Sequence, residues 1–139
     1  MDTLDRYIAA LQHLSPDSVA ELRELLADDV EFCDPFNRVQ GVENYLAVLA
    51  DMFSRLDNVG FSVHESSRQG QVAYLYWTFT ASSRLTGQLS FPGVSRLQLQ
   101  ADGRIALHED FWDSAALYGK LPLVGGLIRW LRKRAAHNG

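Results

Sequence analysis

The chain lacks most of what staples, spans or repeats. Among its 139 residues Cys33 is the single cysteine, so no internal disulfide can form, which suits a reducing compartment. No apolar run approaches the roughly 20 residues that a helix needs to cross a bilayer. The first residues follow a polar, helix-like pattern, so no secretory leader is expected and the cytoplasm is the expected location. Internal repeats and low-complexity segments are absent. A glycine-rich phosphate loop is absent too, since Gly125-Gly126 follows no strand. His13, His64 and His137 form no ligand set, and His108 with Asp110 alone is an incomplete metal site, so neither metal nor cofactor is expected.

What is present is the balance of a single globular domain, 47% hydrophobic and 22% charged, long enough to bury a core. The net charge of −4 hides an asymmetry. Residues 1–113 carry −9, whereas residues 114–139 carry +5 and no acid. An acidic body argues against a nucleic-acid-binding surface, which would be basic.

The order of elements is legible from periodicity. Leu4, Tyr7, Ile8, Leu11 and Leu14 recur at helical spacing, and Ser15-Pro16-Asp17 reads as the start of a second helix with the stripe Val19, Leu22, Leu25 and Leu26. Val30–Cys33 reads as a short strand, Asp34–Gly41 as a loop, and Val42–Leu56 as a third helix. The period then changes to two. Val59–Val63 and Val72–Ser83 are expected strands, the latter with Tyr74, Tyr76 and Thr78 on one face and Leu75, Trp77 and Phe79 on the other. Thr86–Phe91 is a strand that Pro92-Gly93 should break, and Ser95–Gln100 follows as another. Asp102-Gly103 is a hairpin turn into the last strand, Arg104–Trp112. Helices first and consecutive antiparallel strands afterwards make an α+β chain with a curved sheet wrapped around a helix.

Two stretches set acids among aromatic and aliphatic residues: Val30-Glu31-Phe32-Cys33-Asp34-Pro35-Phe36 and Leu107-His108-Glu109-Asp110-Phe111-Trp112-Asp113. A carboxylate removed from water is costly unless paired or hydrogen-bonded. Such an acid is turned to solvent or is held in a pocket for proton chemistry. Period two places Ala106, His108, Asp110 and Trp112 on one face of the last strand.

These stretches, with Leu4-Asp5-Arg6-Tyr7-Ile8-Ala9-Ala10-Leu11, resemble the ketosteroid-isomerase/SnoaL-like polyketide cyclase superfamily over residues 1–118. The resemblance implies a nuclear-transport-factor-2-like cone, a curved mixed, mostly antiparallel sheet wrapped around N-terminal helices, with residues 119–139 as an apolar-basic tail. It also implies that the His108/Asp110/Trp112 face lines the cavity. On the isomerase pattern, Asp34 matches the proton-shuttling aspartate and Tyr7 the oxyanion tyrosine. Ser95 stands where the isomerase places its second donor, a neutral carboxylic acid. On the cyclase and limonene-type epoxide hydrolase pattern, Asp110-Phe111-Trp112-Asp113 reproduces an Asp-aromatic-aromatic-Asp phrase whose first aspartate is acid or base. Arg96 lacks the acid partner that the hydrolase triad requires.

The expected function is a cofactor-independent isomerase or cyclase acting by carboxylate acid/base chemistry on a hydrophobic carbonyl compound. Asp110, Asp34, Tyr7 and His108 are its catalytic candidates, and Ser95, Trp112, Trp77 and Phe36 are pocket residues. The alternatives are a non-catalytic binding module for a hydrophobic or lipid-like ligand and a dimerising accessory protein. A homodimer through the sheet is expected in either case, and no nucleic-acid partner. Residues 121–134 combine an apolar stripe with a basic cluster and could lie weakly on an anionic membrane surface, close the pocket mouth or dock on a partner subunit.

Overall fold

The computed structural model describes residues 2–118, so the expectation for residues 121–134 lies outside the described residues. Helix α1 spans Thr3–Gln12, and the side chain of Asp2 caps it by accepting from the Asp5 N–H at 2.9 Å. Its buried residues, Leu4, Tyr7 and Leu11, are spaced to share one face.

The second helix departs from expectation. It is a 3-10 helix, Val19–Leu25, and its N-cap is Ser18 rather than Ser15. The Ser15 carbonyl accepts from the Ser18 and Val19 N–H groups, closing a preceding turn. A period of three puts Val19, Leu22 and Leu25 on one side, and all three are buried. Leu26 consequently opens strand β1, Leu26–Cys33, instead of closing the helix.

Six strands follow in the sheet order β2-β1-β6-β5-β4-β3. Strand β2, Arg38–Gln40, lies inside the segment expected to be loop and pairs antiparallel with β1. Helix α2, Val42–Arg55, comes next. The remaining strands are β3 (Asp57–Gln69), β4 (Val72–Ser83), β5 (Gly87–Leu99) and β6 (Ile105–Trp112), before a single turn α3, Ala115–Tyr118. Among the described strands only the β1–β6 pair is parallel. The sheet is thus mixed and mostly antiparallel, curled without closing, and its concave side packs α1 and α2 into one core.

Strand β5 is continuous through Pro92-Gly93, where a break was expected. Pairing with β6 begins only at Gly93↔Trp112. Pro92 sits beyond it and faces only Thr78 of β4, so its missing N–H interrupts no second ladder. Gly93 is required for another reason: a Cβ there would overlap the Trp77 indole. The turn at Asp102-Gly103 forms as expected, with Gly103 at φ 91° and its N–H bonded to the Gln100 carbonyl.

Alternation on the long strands holds. Ala73, Leu75, Trp77 and Phe79 are buried, whereas Tyr74 and Tyr76 are exposed. None of the described helices is long and apolar enough to cross a membrane.

Candidate active site

The concave side holds a partly open cavity of about 220 Å³. Its walls come from every layer: Phe32 of β1, Tyr45 and Met52 of α2, Phe61 of β3, Trp77 and Phe79 of β4 and Phe91 of β5. Pairs of these rings lock one another. Phe91 stacks on Trp112 at 4.8 Å between centroids, and Phe32 stacks on Tyr45 at 4.5 Å. Such contacts add directional stabilisation to the burial of large apolar surfaces.

Of the polar residues that line this apolar space, Ser95, His108 and Asp110 form one hydrogen-bonded cluster on the sheet. Register puts Ser95 of β5 directly across from Asp110 of β6, and His108 lies two residues back on the same face. Ser95 Oγ donates to Asp110 Oδ1. His108 Nε2 lies 2.7 Å from the same oxygen. Trp77 Nε1 donates to Ser95 Oγ at 2.8 Å. On the far side of the imidazole, Nδ1 lies 2.7 Å from the Tyr7 hydroxyl, which in turn lies 2.7 Å from the Tyr45 hydroxyl. Asp110 keeps 15% side-chain exposure and His108 only 4%. Both hydrogen bonds of Asp110 end on Oδ1; Oδ2 receives none among the described residues.

A donor count assigns the protons. Every hydrogen has an acceptor within the network when Tyr45 donates to Tyr7, Tyr7 to His108 Nδ1, and the neutral imidazole donates Nε2–H to the Asp110 carboxylate; exchanging the roles of the two phenols, with Tyr45 at 3.3 Å from Nδ1, leaves the same tautomer. Burial is the main force holding both phenols protonated. It pushes the pKa of Tyr7 and of Tyr45 well above the ordinary phenol value, and the negative charge of Asp110 adds to the effect on each. Five neutral side chains therefore converge, directly or in relay, on one carboxylate.

Each residue singled out in the sequence can now be placed. His108, Asp110, Ser95, Trp77 and Trp112 meet on the cavity wall, with Phe36 set edge-on to Trp112 at 5.4 Å. Tyr7 is fully buried but does not line the cavity; its hydroxyl meets His108 instead of that space. Asp34 lines the cavity from a different position, as the hinge of the β1–β2 turn. Its Oδ1 accepts from the N–H groups of Phe36 at 2.8 Å and Asn37 at 2.6 Å, and Asn37 Nδ2 reaches both oxygens at 3.2 Å. Arg96 points away from the cavity and pairs with Glu109 at 3.0 Å on the outer face. Among the described residues no three His, Cys, Asp or Glu side chains gather as a metal-ligating group.

Tyr45 was missed. It lies with Leu46 and Leu49 on the buried stripe of α2, and a hydroxyl on such a stripe requires a buried partner. That requirement was the available signal. The Phe32, Phe61, Phe79 and Phe91 walls carry no local mark that separates cavity lining from solid core.

Comparison with known proteins agrees with this architecture. The SnoaL-like domain family matches residues 4–108 of the chain. A SnoaL-like protein from Jannaschia sp. CCS1 superposes with a TM-score of 0.75 at 16% identity, covering 86% of this chain and 90% of that one. An epoxide hydrolase of M. tuberculosis, similar to the limonene type, gives 0.67 at 22% identity, covering 91% and 93%. A ketosteroid isomerase-like protein of Catenulispora acidiphila, solved with trimethylamine, gives 0.72 at 16%, covering 85% and 90%. At these identities the likeness is one of fold. No curated protein matches the chain.

Proposed function

The chain belongs to the SnoaL-like domain family, and on that premise we propose that it is a cofactor-independent acid/base enzyme of isomerase or cyclase type, working in the cytoplasm on a small hydrophobic carbonyl compound. One observation carries this reading: of the three carboxylates that line the apolar cavity, Asp34 is held by its own turn and Asp51 by Arg55, whereas Asp110 has Oδ2 unengaged among the described residues while neutral donors hold Oδ1. That is the arrangement of a positioned base.

The chemistry follows from the hydrogen bonds. A substrate C–H set against Oδ2 gives its proton to Asp110, and the electron pair moves onto the carbonyl oxygen. Once protonated, Asp110 holds the Ser95 hydroxyl and the His108 Nε2–H less strongly, because hydrogen bonds to a charged acceptor are about twice as strong as neutral ones. Those two donors are then free to stabilise the developing oxyanion. Tyr7 and Tyr45 act behind them by holding His108 in the tautomer that donates from Nε2. Asp34, already engaged by its own turn, serves the cavity rim.

Size narrows the substrate. An apolar cavity of about 150 Å³ holds benzene, so a cavity of about 220 Å³ suits a molecule of about ten heavy atoms, one substituted ring rather than a fused tetracycle.

The test is solvent deuterium incorporation at the α-carbon of one-ring ketones of that size. Wild-type protein should promote exchange, and Asp110→Asn should lower it by about 10²–10⁴-fold with the fold retained. Absence of exchange across such ketones, or equal exchange by the variant, transfers the case to the binding-module reading. The outer sheet face supports a second proposal, a homodimer: Tyr76, Val94 and Phe111 stand in one cross-strand row and are all exposed.

A further inference from the structure

The cavity has a charge pattern that proton transfer does not by itself require. Asp34, Asp51 and Asp110 line it, and no Lys or Arg among the described residues does. Asp51 is answered by Arg55 at 3.0 Å. Among the described residues Asp34 and Asp110 have no Lys or Arg partner. The donor count leaves His108 neutral, so its N–H orients Asp110 without cancelling the charge. Both carboxylates act electrostatically on the one Tyr45 hydroxyl, so two negative charges border a single cavity.

The walls around those charges are aromatic. Phe91 and Trp112 form a stacked pair, and Phe61 meets Trp77 edge-on at 5.7 Å. Ring faces carry partial negative charge and attract cations, Trp most strongly. An anionic ligand would bring a third negative charge into a space of low dielectric, where like charges repel strongly. A neutral ligand leaves the carboxylates with no counter-charge from the described residues. A cation carried on an apolar body answers both features at once.

We propose that this cavity selects a small, one-ring hydrophobic molecule bearing a protonated amine, with the ammonium drawn to the field of the Asp34 and Asp110 carboxylates and the ring against Phe91 and Trp112. The inference rests on the proton-transfer reading only in placing the ligand in the same cavity. It deepens that reading by naming the charge of the substrate, and it excludes carboxylates and phosphates.

Three probes of matched size separate the cases: benzylamine, benzyl alcohol and benzoate, added to the full-length chain at neutral pH. Binding is read from chemical-shift changes at the indole N–H signals of Trp77 and Trp112. Benzylamine should bind about tenfold or more tightly than benzyl alcohol, and benzoate should cause no shift. In Asp110→Asn the preference for the amine should shrink to about threefold or less. Equal or tighter binding of the alcohol or the acid overturns the proposal, as does absence of any amine-induced shift at millimolar concentration. The wild-type comparison decides the matter even if the variant fails to fold. Deuterium exchange without amine preference overturns this inference and keeps the proton-transfer reading; amine preference without exchange does the reverse.

Discussion

The Tyr7 hydroxyl and His108 Nδ1 lie 2.7 Å apart, although 101 positions separate them in the chain. The first helix and the last strand thus meet at a buried imidazole, and the contact dictates which of its nitrogens carries the proton. With Tyr7 donating to Nδ1, the hydrogen must sit on Nε2, where it faces Asp110.

The first prediction concerns that tautomer. Long-range ¹H–¹⁵N correlation spectra should show His108 as the Nε2–H form near neutral pH. Tyr7→Phe removes the donor and strands Nδ1 and the Tyr45 hydroxyl with one partner fewer. A stability loss of about 1–3 kcal/mol is expected, together with a changed His108 signal. Unchanged His108 nitrogen shifts in the variant would remove Tyr7 from the relay.

The same phenols set an alkaline limit on stability. Burial raises both Tyr7 and Tyr45 above the ordinary phenol value. A raised folded-state value means that below about pH 10 both states are protonated and the contribution is fully present. Above it the unfolded chain releases protons that the folded chain keeps, so stability falls as pH rises. Each phenol adds a slope of about 1.4 kcal/mol per pH unit. Urea midpoints measured between pH 8 and 11 should drop steeply above 10, and Tyr45→Phe should reduce the slope by one phenol's share. A flat profile would contradict the buried protonated pair.

Gly93 offers a packing test. A Cβ at this position would overlap the Trp77 indole, and the same indole donates to Ser95. Gly93→Ala should therefore cost about 1–3 kcal/mol by overpacking and disturb the Ser95–Asp110 contact through Trp77. Thermal unfolding gives the first quantity, and the Trp77 indole N–H shift gives the second. Wild-type stability with an unmoved indole signal would show that the strand yields instead.

How much of this was legible in the sequence depends on range. Period two put Trp77 on one face of β4 and His108, Asp110 and Trp112 together on one face of β6, because alternation is a local property of extended chain; that the latter face turns inward came from the family resemblance. The Asp102-Gly103 turn was legible for the same reason. Tyr45 was readable as buried but not as a partner of Tyr7, since helical period gives a face and not a neighbour. The passage of β5 through Pro92-Gly93 depends on where β6 begins to pair and on the Trp77 indole, both outside any local window. The Asp34 turn was locally encoded, with Asn37 three residues on, yet Asp-Pro reads equally as a site motif or as turn chemistry.

The final prediction concerns the outer face. Register aligns Tyr76, Val94 and Phe111 across β4, β5 and β6, and their exposures of 42%, 38% and 57% make a contiguous apolar row. The Arg96–Glu109 pair lies in the neighbouring row, giving the patch a polar margin of the kind seen around interfaces. A two-fold axis through such a patch would set it against itself. Sedimentation at micromolar concentration should show a dimer. Phe111→Glu, which places like charges opposite each other in that arrangement, should yield a monomer while leaving the inward-facing Trp77, His108 and Asp110 signals in place. A wild-type chain that sediments as a monomer, or a variant that remains dimeric, would take the sheet face out of assembly.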